Sequence, residues 1–376
     1  MDKAKACFLK IGSFFFKDML FTAALLAAVF TSFLQRPDPA AIDWKVLACL
    51  FGLMVAVKGL EYCNVLEAVS SLLVRHCKSE RGVVLAMSLL AFFSSMFLTN
   101  DVAILTLLPI LFVLERVCKM GVLLPAILVT VCANLGSVVT PFGNPQNLFL
   151  FSFYGLDSAA FFSLSLPFGA VCLVVMTVFV FLFKKPLPMQ VLAQRESLLE
   201  GKSIVAFGLA AVVVIFCVFG VLPFWVAVPV PLGAALLCNR RVLREVDYRL
   251  LLTFLFLFIA IDNLASISFV QEGIERFTQT PQDTYLAAAL LSQVMSNVLC
   301  AVLLAPFTEQ VQALFWGVNV GGLGTLVASM ANLIAFKLFI KRYPGRGARF
   351  VVRFSAVNFG LFLLLGGIFY LLLPMG

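Results

Sequence analysis

Charge is what this sequence has least of. Only 12% of its residues are Asp, Glu, Lys or Arg, and a single histidine, His76, occurs among 376 positions. A soluble fold of that length needs far more polar surface to cover its core, which excludes a water-soluble protein. His76 has no companion ligands, so no metal centre is expected beyond a transported Na⁺. The ten cysteines form no Cys-x-x-Cys pair and none falls in an expected outer loop, so neither disulfides nor structural zinc is expected. There is no Gly-x-x-x-x-Gly-Lys, which argues against ATP-driven transport within this chain. No Ser-His or paired-Asp arrangement suggests a membrane-embedded hydrolase. An enzyme and a resident cofactor are therefore not expected.

What is present is apolar. Hydrophobic residues make up 62% of the chain, 40 of them phenylalanine, and the mean hydropathy is +1.07. These values describe a polytopic membrane protein. Runs long enough to cross roughly 30 Å of hydrocarbon lie near 19–34, 44–60, 122–154, 160–183, 204–219, 223–238, 249–266, 316–340 and 351–373. The stretches 83–114 and 284–313 differ. Each reads as two apolar legs of about a dozen residues or more meeting at an Asn-containing tip, and such a leg rises only about 20 Å. Both are read as re-entrant hairpins, with two ordinary short spans as the alternative.

The net charge of +8 would suit a nucleic-acid binder, but its positions track topology. With the N-terminus inside, only Arg36, Lys45 and Arg276 fall on outer segments, and Lys58 and Lys337 lie near inner helix ends. Every other Lys and Arg, including Arg116, Lys119, Arg240 and Arg241, lies inside. The basic segment before residue 19 has no convincing cleavage site, so the first helix is read as uncleaved. Residues 62–76 look amphipathic and suited to the inner surface.

The chain also repeats itself. Thr99-Asn100-Asp101 with Pro109 is echoed by Ser296-Asn297-Val298 with Pro306. Asn134-Leu135-Gly136-Ser137-Val138-Val139-Thr140 is echoed by Asn319-Val320-Gly321-Gly322-Leu323-Gly324-Thr325. Each block reaches an Asn-Leu pair seven residues past its threonine, at Asn147 and Asn332. This gives a first repeat over 1–183, a cytoplasmic linker over 184–203, a connecting helix over 204–219 and a second repeat over 223–376. The hairpins return to their own sides, so the connecting helix inverts the second copy. Duplicated, interrupted and inverted halves are the plan of a secondary transporter.

The tips carry the chemistry. Where a helix breaks at mid-membrane, its terminal amides and carbonyls lose their partners, and lipid cannot replace them. Helix starts near Asp101 and Gln146 offer positive dipole ends to an anion, and ends near Thr99 and Val139 offer carbonyls to a hard cation such as Na⁺. The candidate substrate residues are Thr99, Asn100, Thr140, Gly143, Asn144, Ser296, Asn297 and Thr325. Those for a coupling ion, Na⁺ or H⁺, are Asp101, Asn134, Gly136, Asn147, Asn319 and Gly321. A lone membrane Asn more often serves helix–helix bonding, but repetition at equivalent tips favours a site for Asn100 and Asn297. Asn134 and Asn319 stand between the two readings. Ser94, Ser95, Gly136 and Ser137 also suit close packing, and Lys58, Glu61 and Asp262 suit snorkelling or local pairing.

Thr99-Asn100-Asp101 followed by Thr140-Pro141-Phe142-Gly143-Asn144-Pro145-Gln146-Asn147 resembles the paired signatures of the ion transporter superfamily. That group includes arsenite permeases, related sodium/proton antiporters, citrate carriers and divalent-anion:sodium symporters, and the nearest branch is a set of small anion permeases. In the second half Leu326 and Ala328 replace the proline and glycine, so the motif is weaker there. Asp101 stands where the family often has threonine, which speaks against a dicarboxylate. The expected protein is a multi-pass carrier of a small inorganic or organic anion in a cell membrane, the bacterial inner membrane being the natural setting. A Na⁺/H⁺ antiporter using Asp101 and a passive channel are the alternatives. A homodimer and an associated ATPase subunit are left open.

Overall fold

The computed structural model describes residues 19–118, 120–183 and 201–374. The basic N-terminal segment, Lys119 and most of the linker lie outside the described residues. The described chain is helical, as the composition requires. Its elements are α1 Met19–Leu34, α2 Trp44–Tyr62, α3 Val65–Arg75, α4 Glu80–Leu98, α5 Asn100–Cys118, α6 Leu123–Gly136, α7 Pro145–Phe153, α8 Ser158–Phe183 and α9 Gly201–Val218. They continue with α10 Pro229–Cys238, α11 Val242–Glu245, α12 Tyr248–Ala265, α13 Ser268–Glu275, α14 Pro281–Met295, α15 Asn297–Leu304, α16 Val311–Gly321, α17 Met330–Arg342 and α18 Gly347–Leu371.

Local chemistry sets the boundaries that matter. Ser79 caps α4, accepting from the Gly82 amide at 3.1 Å, and Thr280 caps α14 ahead of Pro281 with Asp283 in its first turn. Asn144 caps α7 with Pro145 at its first position, where a missing N–H costs nothing. Pro109 lies inside α5, whereas Pro306 sits in the 3₁₀ turn Ala305–Phe307 that ends the second hairpin.

Several boundaries differ from the sequence reading. The first hairpin spans Glu80–Cys118, with two legs of 19 residues, because its capped start runs through the charged Glu80-Arg81-Gly82 that a hydropathy window discards. At about 28 Å each, these legs are longer than a mid-membrane return requires. Indeed α4 is one of five described helices long and apolar enough to cross a membrane, with α8, α9, α12 and α18. The second hairpin is shorter. Its return leg is eight residues plus the 3₁₀ turn, and the next helix already starts at Val311. Residues 223–238 form a 3₁₀ turn, Phe224–Ala227, running into a ten-residue helix, together a short apolar helical stretch Phe224–Cys238. The connecting helix is already formed at Gly201, ahead of 204. Helix α3 follows α2 at a 52° bend and leaves Val69, Leu72 and Leu73 exposed while burying Leu66 and Val74.

Packing places the interruptions at the centre. Helix α4 packs on α6 and α14 on α16, so each hairpin lies along the first half of a broken helix. The return legs cross over: α5 packs on α17, and α15 packs on α7. The outer helices do the same, with α1 on α12 and α9 on α2. Each half is thereby built into the other. The buried apolar core is continuous through this crossing, from Leu107 and Leu111 to Phe339 and Phe350.

Candidate substrate and ion site

Two chain reversals anchor the site. Thr99 ends α4 at φ 66° and ψ 153°, and Ser296 ends α14 at φ 78° and ψ 149°. This backbone region belongs almost wholly to glycine, and a residue with a side chain held there costs on the order of 1–3 kcal/mol. Among the described residues the only other non-glycine with positive φ is Asn64, in the ordinary left-handed region. Strain therefore concentrates at the two tips that the repeat singles out.

Matching bonds hold both tips. The Asn100 amide donates to the Gly143 carbonyl at 3.3 Å, and the Asn297 amide to the Ala328 carbonyl at 2.9 Å. Thr140 Oγ1 donates to the Met96 carbonyl at 2.5 Å, and Thr325 Oγ1 to the Gln293 carbonyl at 2.8 Å. Each tip is thus clasped by the break of its own half. Gly143 permits this closure because a Cβ there would lie 2.2 Å from the Ser137 carbonyl oxygen. Asn144 completes the first break: its Oδ1 accepts from the Asn147 amide at 3.0 Å and its Nδ2 donates to Ser137 Oγ at 3.1 Å.

Asparagines then join the halves in a crossed pattern. Asn134, at the end of α6, donates from Nδ2 to Asn332 Oδ1 at 2.7 Å. Asn319, at the end of α16, donates from Nδ2 to Asn147 Oδ1 at 2.9 Å. Each acceptor spends its own amide on its own break, Asn147 on the Val138 carbonyl at 3.1 Å and Asn332 on the Gly322 and Thr325 carbonyls at 3.0 and 3.1 Å. Asn100 Nδ2 and Ser329 Oγ both donate to Asn134 Oδ1, at 3.0 and 3.2 Å. All these side chains are buried. Buried amides in such a network are costly to leave unpaired, which fixes the mutual position of the breaks.

The halves also differ. Asp101 lies in the first turn of α5 with its Oδ1 buried and without a hydrogen-bond partner, and Val298 takes its place in the second half. Asn297 is buried, yet its side chain makes no hydrogen bond among the described residues. Its Nδ2 rests against Gly322, where a Cβ would come within 2.8 Å. The fold places each of the candidate substrate and coupling-ion residues at one of the two breaks or tips. Gly136 and Gly321 end α6 and α16. Lys58 and Glu61, set aside as a local pair, do pair at 2.6 Å.

Sequence reasoning missed four participants. Asn332 was visible as an echo of Asn147 but was not counted as a site residue. Ser329 and Gln146 show no repeat of their own, and Gln146 Nε2 lies 3.4 Å from Asn319 Oδ1. Gln293 could have been found by comparing the residue three before each tip. A cavity of about 750 Å³, lined by Glu61, Tyr62, Glu67, Thr106, Pro109 and Glu245, runs beside α5 and contains no tip residue.

A family model described as citrate transporter matches residues 14–314, ending before the second break, where Leu326 and Ala328 depart from the first-half motif. The chain is 32% identical over 328 residues to the inner membrane protein YbiR of Escherichia coli (strain K12), covering 86% of this chain and 87% of that one. It is 33% identical over 334 residues to the uncharacterized transporter MJ0456 of Methanocaldococcus jannaschii, covering 88% and 87%. Among solved structures it is similar to the Alcanivorax borkumensis YdaH transporter, with a TM-score of 0.59 over 92% of this chain and 88% of that chain. At 14% identity that likeness is one of fold.

Proposed function

The chain belongs to the citrate transporter family, and from that membership and its paired tips we propose that it is a secondary active transporter of a small anion or oxyanion. A multi-pass membrane carrier is the premise; the substrate class, the coupling and the mechanism are our reading. Coupling is to Na⁺ or H⁺, and transport proceeds by alternating access around the two tips, with the halves inverted in the membrane. The N-terminus is cytoplasmic in this reading, and both hairpins are re-entrant.

One observation carries the proposal. Two strained tips, each clasped to a broken helix, are linked across the halves by buried amide and hydroxyl side chains and by packed helices. Such breaks concentrate helix N-termini and carbonyl ends in a small space, which suits an anion and a hard cation together. No Lys or Arg lies within the tip or break motifs, so dipoles, amides and hydroxyls select the anion. The family's description names citrate, and citrate is accordingly the first anion to test. A second reading, Na⁺/H⁺ exchange, is favoured by the unpartnered Asp101 oxygen, which can bind either a cation or a proton.

The Asn100→Ala and Asn297→Ala variants test the site. Each is expected to lower anion exchange at least tenfold, the effect of about 1.4 kcal/mol at the binding step. Expression and melting temperature should stay near the parent values, because Asn100 gives up only its bond to Asn134 and the local one its Oδ1 accepts from the Asp101 amide, and Asn297 gives up none. Unchanged exchange in both variants would remove the tips from the site.

A further inference from the structure

Three carboxylates line the cavity of about 750 Å³ beside α5: Glu61 of α2, Glu67 of α3 and Glu245 of α11. Among the described residues no Lys or Arg lines it. Lys58 stands nearby but is paired with Glu61 at 2.6 Å. Arg241 comes within electrostatic reach of Tyr62 and lies outside the lining. Glu67 and Glu245 are exposed and leave the cavity net negative. Such a chamber repels an anion and draws in a cation. Resting on the ion-coupled reading above, we propose that this cavity is the entrance for the coupling cation, through which Na⁺ or H⁺ reaches Asp101.

The cavity leads toward Asp101. Its wall on α5 carries Leu105, Pro109 and Val113 at steps of four, the spacing of one helix face. One further step of four toward the tip is Asp101, about 6 Å along the axis from Leu105. The charges around Asp101 agree. Among the described residues, those within electrostatic reach of its carboxylate are Lys58 and Asp247. Both belong to the cavity's other walls: Lys58 is bonded to Glu61, and Asp247 follows Glu245 by two residues.

The stretch between chamber and tip is supplied with oxygens. Pro109 sits inside α5 and has no N–H to give the Leu105 carbonyl one turn back. Thr106, also on the lining, has a buried Oγ1 without a hydrogen-bond partner, and Asp101 Oδ1 is in the same condition. A cation or proton moving along α5 therefore meets an under-satisfied oxygen at each step. The second half lacks both parts of this path. Pro306 lies in the 3₁₀ turn beyond the end of α15, and Val298 stands in place of Asp101.

The test has two readouts, both on the full-length chain. Val113, half exposed on the cavity wall, is replaced in a Val113→Cys variant, and labelling there is followed in detergent by peptide mass spectrometry. A trimethylammonium methanethiosulfonate is compared with a sulfonate one, each rate divided by that reagent's rate with a small free thiol. The cationic reagent should react about tenfold faster at low salt, and the ratio should fall toward one at about 1 M salt. In proteoliposomes, Glu67→Gln combined with Glu245→Gln should raise about tenfold the Na⁺ needed at fixed pH, or the H⁺ needed at fixed Na⁺, to half-saturate exchange of citrate or of whichever oxyanion the parent exchanges. Equal reagent rates, or an unchanged cation requirement in the double variant, would overturn the entrance. A changed half-saturation for the anion at saturating cation would give the cavity to the anion instead. A parent chain whose exchange ignores both Na⁺ and pH would overturn the ion-coupled reading itself, whatever the reagents do at residue 113. If the double variant does not fold, Glu67→Gln alone takes its place.

Discussion

Asp101→Asn is expected to abolish ion-driven accumulation of substrate in proteoliposomes while the purified variant melts within a few degrees of the parent chain. A carboxylate at membrane depth costs on the order of 3 kcal/mol even on insertion scales, so it is seldom kept without a role. The first-turn position gives a modest one, since a negative charge there suits the helix dipole. Asparagine at that position keeps the volume and polarity and removes only the titratable charge. If Asp101 merely steadied α5, transport would survive the change. Its Oδ1, however, is buried and accepts no hydrogen bond from the helix start. Losing an ionised ligand should weaken cation binding by roughly 100-fold, the equivalent of about 3 kcal/mol. Residual exchange should lose its Na⁺ or pH dependence. Normal accumulation with unchanged ion dependence would make Asp101 structural and move coupling elsewhere.

The largest loss of stability is expected from Asn332→Ala. Three bonds disappear together: the one accepted from Asn134 and the two donated to the Gly322 and Thr325 carbonyls. Asn332 is fully buried, and water cannot readily replace its amide. Each stranded polar group costs about 1–3 kcal/mol in soluble proteins, and measured interhelical bonds within bilayers average nearer 0.6 kcal/mol. A total of about 2–4 kcal/mol reconciles these ranges across three stranded groups. Thermal melting in detergent should show Asn332→Ala falling well below Asn297→Ala, whose side chain has no bond to lose. Equal melting of the two would mean that the crossed amides do not hold the halves together.

Much of the arrangement was legible because polar residues are so scarce. Against an apolar background, Thr99-Asn100-Asp101 and its echo at Ser296 stand out, and the fold does place reversals at Thr99 and Ser296. What the repeat could not convey was the crossing. Asn134 meets Asn332 across 198 positions and Asn319 meets Asn147 across 172, and no local pattern encodes which half donates to which. Leg lengths were misjudged for a different reason. Helix α4 begins in charged sequence behind a Ser79 cap, where hydropathy is silent and capping chemistry decides. Gln293 escaped notice because the comparison of halves looked for identities. Its interest lies in a difference, an amide where the first half has a thioether.

The central claim is that this chain is a carrier with an alternately exposed site, and counterflow tests it most directly. Proteoliposomes holding the purified chain are preloaded with unlabelled anion, citrate first and then smaller oxyanions, and diluted into trace labelled anion. Exchange through an alternating site should drive a transient overshoot of label inside the vesicles, and Asn100→Ala should abolish it. Label that rises monotonically to equilibrium, at a rate indifferent to the internal anion, would mark a passive pore and contradict the account.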